Sequence, residues 1–184
     1  MMTAPTTINA HKIHGPKGIG ALYMRKGFEL PALIRGGGHE LNHRSGTLNV
    51  PAIAGFGKAV EIQSSKPAFF IELSDNLNWL ATQLQDCFPL CVINAPIRSC
   101  APHILNIRFK GFLGKDIFWA LNKAGIAISN SSACSSNKIA PSHVLKAMGL
   151  SDEQNLESMR ISIGLLSQKE ELQHLINKLK EIIK

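Results

Sequence analysis

From Leu90 onward, short apolar runs alternate with stretches whose apolar residues recur at helical spacing. That alternation limits this part of the chain to helices packed on a small sheet, a compact α/β sandwich. Leu90–Ile93, Ile104–Phe109 and Met159–Gly164 read as strands, and Asp116–Ala124 reads as a helix stopped by Gly125. Gly125-Ile-Ala-Ile128 is short and β-branched and reads as a buried strand. Pro141 to Met148, closed by Gly149, reads as a short helix. Ser167-Gln-Lys-Glu170 has the form of a capping box, opening a last helix that runs to Lys184 with Leu172, Leu175, Ile176, Leu179 and Ile183 as its core stripe.

The upstream part divides at Ser64-Ser-Lys-Pro67, a break that separates two domains, 1–65 and 66–184. Before the break, Asn49 and Pro51 start a helix with Ile53, Phe56, Gly57 and Val60 on one face. After it, Phe70, Leu73, Leu77, Leu80 and Leu84 mark an amphipathic helix over about Ala68 to Phe88.

Charge narrows the function classes. The 184 residues carry a net charge of +7, but lysine and arginine are dispersed with few aromatics among them, which points away from nucleic acid. The charge fits an acidic partner or a phosphate-bearing ligand better. No apolar run reaches membrane-spanning length, and Met-Met-Thr-Ala-Pro-Thr-Thr lacks the features of a secretion signal, so a cytoplasmic, membrane-free protein is expected. Cysteines at 87, 91, 100 and 134 form neither a disulfide framework nor paired metal hooks, so reduced thiols are expected.

Three stretches carry chemistry. Cys134 lies in Ser129-Asn-Ser-Ser-Ala-Cys-Ser-Ser-Asn137, a small-residue loop between an expected strand and helix, where a thiol can move and act as a nucleophile. A small residue in a polar loop is the plainer reading of that cysteine taken alone. His11-Lys12-Ile-His-Gly15-Pro-Lys-Gly18 is a glycine- and proline-punctuated turn, then a strand over Ile19–Arg25. A lysine held beside such a turn can attack a carbonyl carbon, although a surface hairpin with solvated lysines accounts for the same residues. His39-Glu-Leu-Asn-His43 matches the zinc-hydrolase spacing, but that site needs both imidazoles on one helical face. Three glycines precede the pattern and Ser-Gly follows it, so no helix and no metal site is expected. A backbone-rich loop whose N–H groups and Thr47 hydroxyl hold a phosphate or carboxylate suits the stretch better.

In order, the chain carries Ala-His11-Lys12-Ile-His-Gly-Pro-Lys-Gly-Ile-Gly-Ala-Leu-Tyr, Gly-Gly-Gly-His-Glu with Arg-Ser-Gly-Thr47-Leu-Asn-Val-Pro, Ser-Ala-Cys134-Ser-Ser, Pro-Ser-His-Val-Leu-Lys-Ala-Met-Gly-Leu and Arg160-Ile-Ser-Ile-Gly. This set closely resembles the C-terminal half of cysteine desulfurases, pyridoxal-phosphate enzymes of the class V aminotransferase family. The resemblance implies the α/β fold of a fold-type I transferase, with 1–65 ending the cofactor-binding large domain and 66–184 forming the small domain. It further implies a Schiff base between Lys12 and pyridoxal 5'-phosphate, with His11 beside the cofactor and Thr47 reaching the cofactor phosphate of a partner subunit. Arg160 would bind the substrate carboxylate, and Cys134 would take sulfur from L-cysteine as a persulfide, leaving L-alanine.

The partners so implied are a homodimer or a complementing N-terminal half, and a sulfur acceptor or scaffold protein of iron–sulfur cluster assembly. Two positions depart from the family pattern: Asn9 replaces a phosphate-binding serine, and Ser131 replaces a glycine. The chain begins just before Lys12 and lacks the family's N-terminal half, with the groups that stack on the cofactor and pair with its ring nitrogen, so this chain alone is not expected to be active. The rival expectation is a non-catalytic remnant that binds other proteins or accepts sulfur passively.

Overall fold

A computed structural model describes residues 4–66, 68–96, 101–130 and 141–184. The chain divides into two units, Met1–Pro67 and Ala68–Lys184.

The first unit is built on an antiparallel hairpin, β1 (Thr6–Asn9) with β2 (Gly20–Tyr23), in which Thr6 faces Tyr23 and Asn9 faces Gly20. Gly20 is required there, because a Cβ would stand 2.6 Å from the Ile8 carbonyl oxygen. The connection is more ordered than an open turn. Ala10–Ile13 forms a single 3-10 turn closed by His14 in the left-handed region, φ 64°, and the Gly15 N–H returns to the Ala10 carbonyl at 2.9 Å. Helix α1 (Val50–Ser64) starts as expected, with Asn49 Oδ1 accepting the Ala52 N–H and Pro51 in the first turn.

The covered face of α1 differs from the expected one. Ala52, Gly55, Phe56 and Ala59 are sheltered, while Ile53 and Val60 are exposed. The reason is a close approach: a Cβ on Gly55 would meet the Pro16 ring at 2.6 Å, so the helix presents its small residues to the hairpin connection.

In the second unit, β3 (Cys91–Ile93), β4 (Ile104–Phe109), β5 (Ser129–Asn130) and β6 (Ser158–Ser162) form one antiparallel sheet in the order β3-β4-β6-β5. Residues alternate between its two faces. Leu105, Ile107, Phe109, Met159 and Ile161 are buried, whereas Asn106, Arg108 and Arg160 belong to the opposite set. Helices α2 (Phe69–Cys87), α3 (Gly114–Lys123) and α6 (Lys169–Ile182) cover the apolar face with Leu73, Leu77, Leu80, Leu84, Ile117, Leu121, Leu172, Leu175, Ile176 and Leu179. Two short helices, α4 (His143–Ala147) and α5 (Asp152–Leu156), precede β6.

Three expectations need correction. Gly125–Ile128 is not a strand: Gly125 turns left-handed at φ 79° and the Ile126 N–H closes back on the Leu121 carbonyl, so β5 begins only at Ser129. The last capping box lies one residue later, between Gln168 and Glu171. Ser167 Oγ instead accepts the Gly164 N–H at 3.0 Å, and α6 ends at Ile182. Finally, α5 was not anticipated, although Ser151 and Gln154 form its reciprocal capping box.

Candidate functional site

In the first unit, His11 and Lys12 are adjacent on the 3-10 turn and both are exposed. The turn holds its shape through buried Ala10, since a Cβ on Gly15 would come within 3.0 Å of both the Ala10 side chain and its carbonyl oxygen. Its basic residues lie in the final turn, where carbonyl groups favour positive charge.

Thr47 is exposed and follows a loop folded around Ser45, which is buried. Ser45 Oγ accepts the Gly38 N–H at 3.3 Å, and the Ser45 N–H donates to the Ile34 carbonyl at 3.0 Å. Glu40, Leu41 and Asn42 are all left-handed, with φ 51°, 55° and 66°. Three such residues in succession cannot belong to an α-helix, so the spacing of His39 and His43 does not bring their rings onto one helical face. His39 Nδ1 accepts the Gly46 N–H at 3.4 Å, and His43 Nδ1 donates to the Leu30 carbonyl at 3.2 Å. Among the described residues, no group of three histidine, cysteine or acidic side chains could hold a metal ion.

In the second unit, Arg160 is exposed on β6, with Asn106 of β4 on one side and Ser129 of β5 on the other. Strand β5 ends at Asn130, the last described residue before 131–140. Cys134, the expected nucleophile, and Ser131 lie outside the described residues.

Beside this ladder runs a polar network that sequence reasoning did not find. Glu157, buried, accepts the Gly111 N–H at 2.6 Å and pairs with Arg108 at 3.0 Å. Asn94 Nδ2 donates to Asn106 Oδ1 at 2.7 Å and to Ser158 Oγ at 2.9 Å. Asn155, fully buried, bonds both backbone groups of Ser142. Only the capping box at Ser151 hinted in sequence that this region is ordered.

Cys87 and Cys91 are free thiols. Burial pushes the Cys91 thiol from 9.0 up to about 11, which keeps it protonated and unreactive at neutral pH. No described helix is long and apolar enough to cross a membrane.

Lys12, His11 and Thr47 belong to the first unit and Arg160 to the second. As a donor set, an exposed primary amine, a neighbouring imidazole and a hydroxyl beside a glycine turn fit a ligand bearing an aldehyde and a phosphate.

Known proteins bear on this set. The chain is 40% identical over 178 residues to a cysteine desulfurase of Nostoc sp., covering 96% of this chain and 44% of that protein. It is 41% identical over 173 residues to the cysteine desulfurase IscS of Buchnera aphidicola subsp. Schizaphis graminum, covering 92% of this chain and 42% of the relative. The chain therefore spans less than half the length of these curated relatives. A solved NifS-like protein superposes with a TM-score of 0.85 at 32% identity, over 97% of this chain and 46% of that one. The expected α/β transferase fold is thus borne out over that share of the solved protein. The aminotransferase class-V family profile matches residues 6–175, and the chain belongs to that family.

Proposed function

We propose that this chain contributes the lysine, arginine and thiol of a cysteine desulfurase that takes sulfur from L-cysteine with pyridoxal phosphate as cofactor. The observation that carries the reading is the register of β6 against β5. It sets Arg160, a residue suited to a carboxylate, one cross-strand step from the strand that leads toward Cys134. The relatives' names and the Lys12 turn support the same reading.

Lys12 would hold pyridoxal phosphate through its aldehyde, and the bound ring would supply a sink for the electron pair at the substrate Cα. The Lys12 amine would serve as the base and acid that removes and returns the proton at that carbon. His11 would lie beside the cofactor, and Thr47 would donate its hydroxyl to a phosphate, in a homodimer to that of the partner subunit. The Arg160 guanidinium holds the substrate carboxylate in two parallel hydrogen bonds and so fixes its sulfur relative to the thiol. Cys134 attacks as the thiolate: a sulfur–sulfur bond forms, the substrate carbon–sulfur bond breaks, and its electron pair stays on carbon. Protonation of that carbon gives L-alanine, and the extra sulfur remains on Cys134 as a persulfide for an acceptor or scaffold protein of iron–sulfur cluster assembly.

A reducing compartment such as the cytoplasm suits the free thiols. Exposed apolar side chains on the first unit, Leu33 at 94%, Leu41 at 88% and Val50 at 63%, favour its working against a second chain, either another copy or a complementing N-terminal half. The non-catalytic reading rests on the same surface.

The deciding experiment is an absorbance spectrum of the protein with added pyridoxal phosphate, then borohydride reduction and peptide mapping, alone and with a complementing N-terminal half. The expected result is a visible band and a reduced adduct on Lys12, both lost in Lys12→Ala, and cysteine-dependent persulfide lost in Cys134→Ser. No band under either condition, or persulfide persisting in Cys134→Ser, overturns the proposal.

A further inference from the structure

A polar row crosses three strands on the sheet face opposite the buried residues. Asn94, one residue past β3, donates its backbone N–H to the Asn106 carbonyl at 3.0 Å, and Asn106 in turn faces Arg160 across the β4–β6 ladder. Directly opposed residues on neighbouring strands have Cβ atoms about 5 Å apart, so the side chains of Asn106 and Arg160 can reach one small ligand. Arg108, two residues along β4, has its charge met by Glu157 at 3.0 Å and does not compete for an anion there.

A one-way chain of hydrogen bonds fixes which way the Asn106 carboxamide points. Ser158 Oγ donates its single proton to the Gln154 carbonyl at 2.7 Å, so toward Asn94 it can only accept. The Asn94 atom 2.9 Å from that hydroxyl is therefore the amide nitrogen, and the same nitrogen donates to Asn106 Oδ1 at 2.7 Å. With its oxygen turned to Asn94, Asn106 directs its NH2 group away from β3, and among the described residues that group meets no acceptor. Strand β4 lies between β3 and β6, so the side away from β3 is the side of Arg160.

We infer that Asn106 is a second binding residue for the carboxylate that Arg160 holds, with Asn94 and Ser158 as positioning residues that keep its donor turned outward. A carboxylate offers about four acceptor sites, and a bidentate guanidinium uses two, which leaves one for the Asn106 NH2 group. A donor from the side stops the carboxylate rocking in the arginine fork and so fixes the Cα attached to it. That the carboxylate belongs to an amino acid rests on the function proposed above; the pairing of the two donors does not.

The test follows the assigned Asn106 NH2 and Arg160 Nε–H resonances of the isotope-labelled full chain by NMR. The probes are L-alanine and, as a control, L-alanine methyl ester, which lacks a carboxylate. Both resonances are expected to move with one midpoint for L-alanine, and neither for the ester. Asn106→Asp keeps an acceptor for Asn94 but puts a negative charge where the donor was. In that variant the midpoint read at Arg160 rises about tenfold or more, as for a lost hydrogen bond to a charged group. Movement of Arg160 without Asn106, movement of neither, an equal response to the ester, or an unchanged midpoint in Asn106→Asp overturns the inference. If Asn106→Asp does not fold, Asn94→Asp carries the test. An acceptor beside Asn106 turns its carboxamide around and aims the oxygen at the side of Arg160, so the same rise is expected and an unchanged midpoint overturns the inference.

The Lys12 adduct reports separately on the proposed function. A missing adduct with joint movement of the two resonances defeats the function and leaves the donor pair. An adduct present without joint movement defeats the donor pair alone.

Discussion

Arg160 stands directly across the β5–β6 ladder from Ser129, while its sequence neighbours Met159 and Ile161 are buried in the core. The strand is therefore anchored by its apolar residues, and the arginine is exposed. Arg160→Ala changes stability by no more than about 0.5 kcal/mol in urea unfolding, as for an exposed position. If the function proposed above holds, the same substitution raises KM for L-cysteine about tenfold or more, a loss typical of a charge-assisted hydrogen-bonded pair, and Arg160→Lys recovers only part of it. A variant that unfolds early in urea would instead mark Arg160 as structural.

Glu157 is the reverse case. With Arg108 and the Gly111 N–H gathered on one buried carboxylate, Glu157→Ala leaves a nearly buried guanidinium unpaired. The expected loss is about 3–5 kcal/mol of unfolding free energy, measurable by denaturant titration. Replacing Arg108 and Glu157 together by apolar residues costs much less than the sum of the single changes, a non-additivity that a double-mutant cycle resolves.

The left-handed run at Glu40, Leu41 and Asn42 is strained by its Cβ atoms. Glycine relieves that strain, so Leu41→Gly is expected to raise stability by about 1 kcal/mol despite removing an apolar side chain. Leu41 is 88% exposed, so little buried area is lost with it. Thermal unfolding of the first unit's signal reads the change.

Cys91 gives a pH dependence with a defined sign. Its folded thiol titrates near 11 against an ordinary 9.0, so the unfolded chain releases that proton first as pH rises. This contribution to stability is complete below about pH 9 and disappears as pH climbs through about 11. Cys91→Ala unfolds with a flatter alkaline limb, although it is less stable at neutral pH through the lost packing. Equal alkaline slopes in the two proteins would refute the assignment.

Gly114 opens α3 against the start of β6, and a Cβ there would lie 2.7 Å from the Ser158 carbonyl oxygen. Gly114→Ala is expected to cost about 1–3 kcal/mol, since backbone rather than a side-chain tip must give way. Chemical denaturation measures it.

Regular spacing made much of the second unit legible. Leu73, Leu77, Leu80 and Leu84 recur at a helical period, and Leu105, Ile107 and Phe109 alternate as a half-buried strand must. What escaped was decided by contacts distant in sequence. Nothing local says that Gly55 meets Pro16, which turns α1 onto its small residues. Ser167-Gln-Lys-Glu-Glu allows two capping boxes, and the bond from the Gly164 N–H to Ser167 chooses between them. Asn155 looks like any polar residue of a short helix; only the fold buries it against Ser142. At the candidate site, the motif residues stood out in sequence, whereas the ladder that seats Arg160 beside Ser129 did not.

The sheet order β3-β4-β6-β5 has a consequence for synthesis. Strand β5 is made before β6, its neighbour among the described strands, and β6 must also slot in beside β4. As the chain emerges from a ribosome, Ser129 and Asn130 wait for these partners until Met159 and Arg160 have cleared the exit. A nascent chain arrested short of Ser158 would therefore leave the backbone N–H and carbonyl groups of β5 to water or to another strand edge.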